Sequence, residues 1–198
     1  MTKIKSLFIS LVLTLGVSTA IAGSHGSTLD LVKERGKLMC GSNTGLAGFG
    51  APNDAGVWEG IDVDVCRAVA AAVLGDASKV EYVPTTSKVR FTVLQSGEID
   101  MLSRNTTWTL SRDVDLGLEF VGVNYYDGQG FMVNKSLGVS SAMDLDGASV
   151  CIQVGTTTEM NLADFFKANG MSYESVPVET NSEAVSYTHL TLPTSNDV

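Results

Sequence analysis

The chain has 198 residues, with 13 lysines and arginines against 22 acidic residues and a formal net charge of −9. Phosphate neutralisation needs clustered basic side chains, so this balance argues against a nucleic-acid partner. The two histidines, His25 and His189, lie near the ends of the chain. The body of the chain therefore lacks a base for Ser-His-Asp or Cys-His catalysis and lacks histidine ligands for zinc. We expect no catalytic residues, no metal and no cofactor.

The first 22 residues have the pattern of a secretory signal peptide. Lys3 and Lys5 precede an apolar run from Leu7 to Val17, and an Ala-Ile-Ala segment ends at Ala22. The run is short for a membrane span, although a retained N-terminal anchor is the alternative. We predict that residues 1–22 are cleaved and that the mature chain is exported.

A short strand is predicted over Leu38–Gly41, followed by a glycine-rich loop to Gly50. The loop has neither GxGxxG nor P-loop spacing, so we interpret it as the lip of a cleft. A helix follows Gly60, with Asp62 near its amino end and Gly75 placed to end it. Its apolar positions recur every three or four residues and predict one buried face. These positions are Val65, Ala68, Val69, Ala72 and Val73.

The rest of the chain alternates between strand and helix patterns. Lys79–Pro84 and Ile99–Leu102 are predicted strands on either side of a helix over Ser87–Gln95. Two more strands are predicted, over Gly130–Val133 and Ala148–Val154, and then a helix that starts at Thr156 and stops at Asn169-Gly170. Short connections between such elements predict an α/β fold whose strands are mainly parallel. One α/β unit ends near residue 122, and a second begins after it.

A polar loop over Ser103–Asp113 follows the Ile99–Leu102 strand, at the sheet edge where α/β proteins bind ligands. Asn105, Thr106 and Thr107 offer several hydrogen-bond donors and acceptors there. Arg112 could present its planar fork to a carboxylate. It could equally be a solvated helix residue paired with an acid, and its spacing favours neither interpretation.

The helix after Gly60, the polar loop and the turn Gly155-Thr156-Thr157 together resemble the family 3 bacterial solute-binding proteins, the amino-acid receptors of ABC importers. The resemblance implies a periplasmic-binding-protein type II fold with two lobes and an incomplete second lobe. The first lobe would be residues 28–122 and the partial second lobe 131–184, joined by a crossover over 123–130. It also implies a periplasmic location, an inner-membrane ABC permease as partner and a monomeric receptor.

The resemblance assigns roles to individual residues of this chain. Arg112 would hold the α-carboxylate of an L-amino acid, with Asn105 and Thr107 as loop contacts. Thr156 and Thr157 would bind the ligand from the second lobe. Weaker candidates are Asn43, Phe49 and Trp108. Arg104 could favour acidic or amide side chains, or could pair with an acid of the protein, and Leu46 stands where many members have an aromatic residue.

Within the family, the chain is most similar to the general L-amino-acid receptors. The same fold also hosts a cyclohexadienyl dehydratase, for which Glu98 and Asp100 would be candidate acids. A third possibility is the sensing module of a receptor kinase, which would need a downstream membrane span. The receptor of an importer remains our preferred interpretation, and no enzyme activity is expected.

The three cysteines are Cys40, Cys66 and Cys151. An exported chain favours disulfides, and the helix that carries Cys66 should pack on the strand that carries Cys40. We predict a Cys40–Cys66 disulfide, with two buried thiols as the alternative. Cys151 would then pair, if at all, with a residue outside this sequence. Residues 185–198 match neither a helix nor a strand of the family, and we predict that they are a non-native tail.

Overall fold

The computed structural model describes residues 26–189, so the predicted signal peptide lies outside the described residues. Parallel strands form two separate sheets, one on each side of the segment 123–130. We call residues 26–122 the first lobe and residues 131–189 the second lobe. The first lobe contains α1 (Thr28–Arg35), β1 (Leu38–Ser42), β2 (Ala51–Pro52), β3 (Trp58–Glu59), α2 (Ile61–Leu74), β4 (Val80–Pro84), α3 (Arg90–Gln95) and β5 (Met101–Leu102).

The first-lobe sheet has the strand order β4-β1-β5, and both pairings are parallel, as the alternating pattern predicts. The β1–β4 register runs from Leu38 opposite Val80 to Ser42 opposite Pro84. The predicted helix over Ser87–Gln95 begins later, at Arg90, and the strand predicted from Ile99 is paired only from Met101. Helix α1 was not predicted from the sequence, although Ser27 and Asp30 form a capping box at its start.

Helix α2 lies where the sequence places it, but the predicted buried stripe is wrong by part of a turn. Ala68 and Ala72 are exposed, whereas Val63, Cys66 and Ala70 are buried. The helix is rotated because its buried face packs on β1, where Cys66 forms a disulfide with Cys40 across a Cα–Cα distance of 6.2 Å. The predicted disulfide is therefore confirmed. Cys151 is a free cysteine.

The segment 123–130 has no helix or strand and is attached to both lobes. On the first lobe, Asn124 donates to Asp62 across 2.7 Å, and the Tyr125 ring meets Phe49 edge-on at 4.8 Å. On the second lobe, Gln129 donates to the carbonyl of Thr158 across 3.1 Å. The two attachments are five residues apart in sequence, counted from Asn124 to Gln129.

The strand predicted over Gly130–Val133 is absent, so that prediction is wrong. A strand needs a hydrogen-bonded neighbour, and the two described strands of the second lobe pair only with each other. Phe131 instead lies against the rings of Phe165 and Phe166, and Val133 packs on the same cluster. The apolar residues of the segment therefore do not mark a paired strand: Phe131 and Met132 are exposed, and Val133 is half-buried.

The second lobe is built around a two-stranded parallel sheet. Its elements are β6 (Ala148–Gln153), α4 (Thr157–Ala168), β7 (Tyr173–Val178) and α5 (Asn181–His189). Its core contains Leu145, Ile152, Leu162 and Phe166. The helix predicted between Thr156 and Asn169-Gly170 is confirmed as α4, and the strand predicted over 148–154 is confirmed as β6.

Helix α5 continues to His189, so the expectation that no helix extends beyond residue 184 is wrong. Its start is fixed by Glu183, whose carboxylate accepts from the backbone N–H groups of Glu179 and Thr180. Residues 190–198 of the predicted non-native tail lie outside the described residues. Within residues 26–189, no helix has the length and apolar character required to cross a membrane.

Candidate functional site

Four loops meet at the edge of the two sheets where parallel strands end. They follow β1, β4, β5 and β6, and three side-chain contacts join them. Asn43 donates to Asn105 across 2.9 Å, Arg104 donates to Ser87 across 3.2 Å, and the hydroxyls of Thr107 and Thr157 lie 3.1 Å apart. Carboxyl ends of parallel strands are the usual position of ligand sites in α/β proteins.

Arg104 is buried and held entirely by the first lobe. Its guanidinium donates to the carbonyl of Thr85 across 2.5 Å, to Ser87 and to the side-chain oxygen of Asn105. Burial lowers the pKa of Arg104 to about 10, while the nearby Asp62 carboxylate acts in the opposite direction. These contacts join the loops after β4 and β5, and the roles of Arg104 as ligand contact or partner of a protein acid stay predictions.

Arg112 belongs to a single π-helical turn over Ser111–Asp115, and its side chain is buried. One end of its fork donates to the carbonyl of Thr107 across 2.9 Å. Its guanidinium carbon lies 5.1 Å from the centre of the Phe91 ring, within cation–π distance. The remaining donors of the fork have no hydrogen-bond partner among the described residues. Burial lowers the pKa of Arg112.

Arg90, at the first position of α3, is a site residue that the sequence analysis missed. Its side chain is 1% exposed, and it donates to the carbonyls of Asn105 and Gly155 across 3.0 and 3.3 Å. Its Nε has no hydrogen-bond partner among the described residues. Burial, followed by repulsion from Arg104 and Arg112, lowers the pKa of Arg90 to about 9.

One sequence signal could have identified Arg90. The amino end of a helix carries partial positive charge, which disfavours a cation there. An arginine at this position therefore breaks a local rule, and such violations concentrate at functional sites.

The guanidinium groups of Arg90, Arg104 and Arg112 form a buried cationic cluster, which we call the arginine cluster. Arg90 and Arg112 both lie over the Phe91 ring, at 4.8 and 5.1 Å. None of the salt bridges among residues 26–189 involves a member of the cluster. Buried charges normally pair with an opposite charge, so the cluster is suited to an anionic ligand.

The predicted ligand contacts in the loops are brought together with the arginine cluster. Asn105 Oδ1 accepts from both Asn43 and Arg104, which fixes the orientation of its amide. Thr107 and Thr157 face each other across the lobes. The Thr156 hydroxyl accepts from the N–H of Glu159 and donates to the carbonyl of Gln153, so it serves as the cap of α4.

The weaker aromatic candidates lie away from the cluster. Trp108 donates to Asp113 across 3.0 Å and stacks on Phe120 at 5.3 Å, with 48% of its surface exposed. Phe49 contacts the crossover through Tyr125. Trp108 thus contacts the last residue of the polar loop and Phe49 contacts the crossover, and neither contact reaches the arginine cluster.

A cavity of about 110 Å³ lies between the lobes beside Arg104. Asn43, Thr85 and Thr86 line it from the first lobe, and Gln153 and Glu179 line it from the second. A larger cavity of about 550 Å³ lies in the second lobe, among Phe131, Leu145, Leu162 and other residues. Only the smaller cavity borders the arginine cluster, and we therefore regard it as part of the candidate site.

The sequence model of the bacterial extracellular solute-binding proteins, family 3, matches residues 38–186 of this chain. The chain belongs to this family. This solute-binding protein is 64% identical over 171 residues to the glutamate/glutamine/aspartate/asparagine-binding protein BztA of Rhodobacter capsulatus, covering 86% of this chain and 51% of that one. It is 58% identical over 172 residues to the general L-amino acid-binding periplasmic protein AapJ of Rhizobium johnstonii, covering 87% and 49%.

Solved structures agree with the family and the fold. A periplasmic binding protein of an ABC transporter from Brucella ovis, with glutathione bound, matches with a TM-score of 0.77 and 58% identity. The match covers 82% of this solute-binding protein and 52% of that chain. The type II fold is thus confirmed. The chain spans about half the length of the relatives it matches, in agreement with a partly represented second lobe.

The acids considered for a dehydratase do not lie among the cluster's contacts. Asp100 accepts from the backbone N–H of Met39 across 2.7 Å and pairs with Arg35, where it joins β1 to α1. Glu98 is exposed in the turn before β5. Within residues 26–189, no group of His, Cys, Asp and Glu has the geometry of a metal site.

Proposed function

We propose that this solute-binding protein is the periplasmic substrate-binding component of an amino-acid ABC importer. It closes around one L-amino acid between its lobes and presents it to a permease in the inner membrane. The observation that carries the proposal is the arginine cluster, whose three buried guanidinium groups form no salt bridge among the described residues. The family and the two bacterial relatives support the same function.

Each site residue has a role in this proposal. Arg112 binds the α-carboxylate with the donors that its contact to Thr107 leaves unused. Asn105 and Thr107 contribute loop contacts from the first lobe, and Thr157 contributes its hydroxyl and the amino end of α4 from the second. Thr156 holds that turn in place through its cap.

The substrate class is an acidic or amide L-amino acid. Arg90 and Arg104 add positive charge beyond Arg112, and Asn43 adds an amide, so a second carboxylate or an amide on the ligand would be stabilised. The Rhodobacter relative is named as a binding protein for glutamate, glutamine, aspartate and asparagine, and this name supports the same substrate class. Aliphatic ligands would leave the arginine cluster only partly neutralised.

Glutathione is a second candidate ligand. The Brucella ovis protein, 58% identical, was solved with glutathione bound. The γ-glutamyl end of glutathione carries the same α-carboxylate and α-ammonium groups as free glutamate. The cavity beside Arg104, lined by Gln153 and Glu179 from the second lobe, could receive the rest of a longer ligand.

The proposal includes no catalysis, no cofactor, no nucleic-acid partner and a monomeric receptor. The engagement of Asp100 with Met39 and Arg35 supports the absence of a dehydratase acid at the cluster. An ancestral amino-acid-binding protein described as a precursor of cyclohexadienyl dehydratase is 30% identical, with a TM-score of 0.66. Incubation with prephenate or arogenate should therefore give no product, and size-exclusion chromatography should give a monomer.

Titration calorimetry tests the binding function. The full chain as its gene encodes it should bind L-glutamate, L-glutamine, L-aspartate or L-asparagine, and glutathione is tested in parallel. Arg112→Ala should weaken binding by about 100-fold, since it removes a charge-assisted contact from a buried ligand. Arg67→Ala is the matched control because Arg67 pairs with Asp64 on α2. Unchanged affinity in Arg112→Ala would overturn the assignment.

A further inference from the structure

The backbones of the two lobes approach each other closely at Gly155. A Cβ at this position would lie 3.1 Å from both the Cα of Lys88 and the carbonyl oxygen of Ser87. Those atoms are backbone of the first lobe and cannot rotate away as the end of a flexible side chain could. Gly155 also has φ +72°, which other residues adopt only with strain.

Hydrogen bonds surround this contact on both sides. The carbonyl of Gly155 accepts from Arg90 across 3.3 Å, and Arg90 also donates to the carbonyl of Asn105 in the polar loop. The Thr107 and Thr157 hydroxyls lie 3.1 Å apart nearby. Lys88 and Glu179 form an exposed ion pair across the lobes at 3.8 Å. We call the contact of Gly155 with Ser87, Lys88 and Arg90 the Gly155 seam.

The hydrogen bond from Arg90 to Gly155 depends on the absence of a side chain at position 155. A contact of 3.1 Å to carbon is tighter than ordinary packing, so a Cβ would push the lobes apart by a few tenths of an ångström. The bond from Arg90 to Gly155 is already at 3.3 Å. At about 3.6 Å the same pair no longer forms a hydrogen bond. A small displacement would therefore break the bond between Arg90 and the second lobe.

We propose that Gly155 is a positioning residue that sets how closely the second lobe approaches the first, and that any side chain there prevents full closure. The inference rests on the proposed function, since closure matters only if a ligand is bound between the lobes. The role proposed for Gly155 does not involve its backbone N–H, because that group already donates to Glu159 across 2.9 Å. Ligand and seam then favour the same closed state.

A matched pair of glycines separates the seam from backbone strain. Gly138 has φ +65° and lies in a surface turn of the second lobe. A Cβ at this position would have no heavy atom within 4 Å. Substitution there carries the same left-handed strain without a contact between the lobes. The four variants are Gly155→Ala, Gly155→Val, Gly138→Ala and Gly138→Val, each made in the full chain as its gene encodes it.

L-glutamate affinity and the radius of gyration from small-angle X-ray scattering are measured for each variant. We expect Gly155→Ala to bind about 10-fold more weakly and Gly155→Val more weakly still, within the usual range of coupling between binding and conformation. At saturating ligand both 155 variants should remain more expanded than the unaltered protein. The Gly138 variants should bind within about twofold of it and compact fully.

The outcomes separate the two proposals. Full compaction of Gly155→Val at saturating ligand would overturn the seam even if its affinity fell, since a distorted turn weakens contacts without blocking closure. Equal losses in the 155 and 138 series would overturn it as well. If the unaltered protein bound no amino acid, the proposed function would fall. Scattering without ligand would then decide the seam: expansion confined to the 155 variants supports it, and equal radii reject it.

Discussion

The Thr107 hydroxyl lies 3.1 Å from the Thr157 hydroxyl, which joins the loop after β5 of the first lobe to the first residue of α4 in the second. Each hydroxyl belongs to a residue that the family resemblance assigns to ligand binding. The direct contact means that the two residues can act as one unit, since the position of one constrains the other.

A double-mutant cycle should detect this unit. We expect Thr107→Val and Thr157→Val each to weaken L-glutamate binding, and the double variant to lose less than the sum, because both single changes remove one shared hydrogen bond. The coupling should be about 1 kcal/mol by titration calorimetry. Valine keeps the branched shape of threonine. The pair Thr107→Val and Thr92→Val, with Thr92 exposed on α3, is the control and should be additive.

Asp62 predicts a pH dependence of stability. Its side chain is buried, one oxygen accepts from Asn124 across 2.7 Å, and the other has no hydrogen-bond partner among residues 26–189. Burial raises the pKa of Asp62 above 3.8, against the lowering effects of Asn124 and Arg104. The Asp62 carboxyl therefore binds a proton more tightly in the folded state than in the unfolded state. Its contribution to stability falls as the pH rises from the unfolded-state pKa through the higher folded-state pKa.

The substitution Asp62→Asn tests the sign. Asparagine can still accept from Asn124 but carries no charge, so its stability relative to the unaltered protein should increase from about pH 4 to about pH 7.5. Urea unfolding at several pH values gives the difference in free energy of unfolding. Lowered pKa values at Asp144, Asp146 and Glu183 give the opposite slope in both proteins and cancel. A constant difference across this range would contradict the prediction.

Local patterns predicted the framework of the first lobe well. Short apolar runs mark β1, β4 and β5, and glycines mark both ends of α2. Each of these signals is contained in a few consecutive residues, so the strands and the helix could be predicted from the sequence. The buried face of α2 was misplaced because alanines fit both the buried and the exposed side of a helix. Disulfide formation and the packing of Ala70 on β1 decide the rotation, and both are tertiary contacts.

The site was predicted in part for the same reason. The polar loop and Arg112 are adjacent in sequence, so their joint role could be inferred from it. Arg90 contributes through carbonyls at Asn105 and Gly155, which are 15 and 65 residues away. Such contacts have no local pattern. The strand expected over Gly130–Val133 is absent because a run of apolar residues does not reveal whether a neighbouring strand is present, and here Phe131 and Met132 are exposed.

The Cys40–Cys66 disulfide should stabilise the first lobe substantially. It closes a loop with a sequence separation of 26 residues, for which chain entropy gives about 3.5 kcal/mol. The double variant Cys40→Ala/Cys66→Ala should lose about that amount in guanidinium unfolding. Cys151→Ala is the control, since Cys151 forms no disulfide in the structure. If the free energy of unfolding changed equally in both variants, the loss would come from packing rather than from the cross-link.

The two glycines that flank α2 should differ sharply in their tolerance of alanine. Gly60 has φ +120°, and a Cβ there would lie 2.2 Å from the carbonyl oxygen of Phe49. The loop cannot move away easily because the carbonyls of Gly48 and Phe49 accept from the N–H groups of Ile61 and Asp62, each across 3.0 Å. Gly60→Ala should therefore lower the free energy of unfolding by more than about 3 kcal/mol.

Gly75 provides the matched comparison at the other end of the helix. It has φ +71°, but a Cβ at this position would have no heavy atom within 4 Å. Gly75→Ala should cost only the left-handed strain, about 1 kcal/mol. Urea unfolding followed by circular dichroism measures both variants. Similar losses at the two positions would mean that the loop before α2 relaxes around a side chain, and that the contact between Gly60 and Phe49 does not fix the start of the helix.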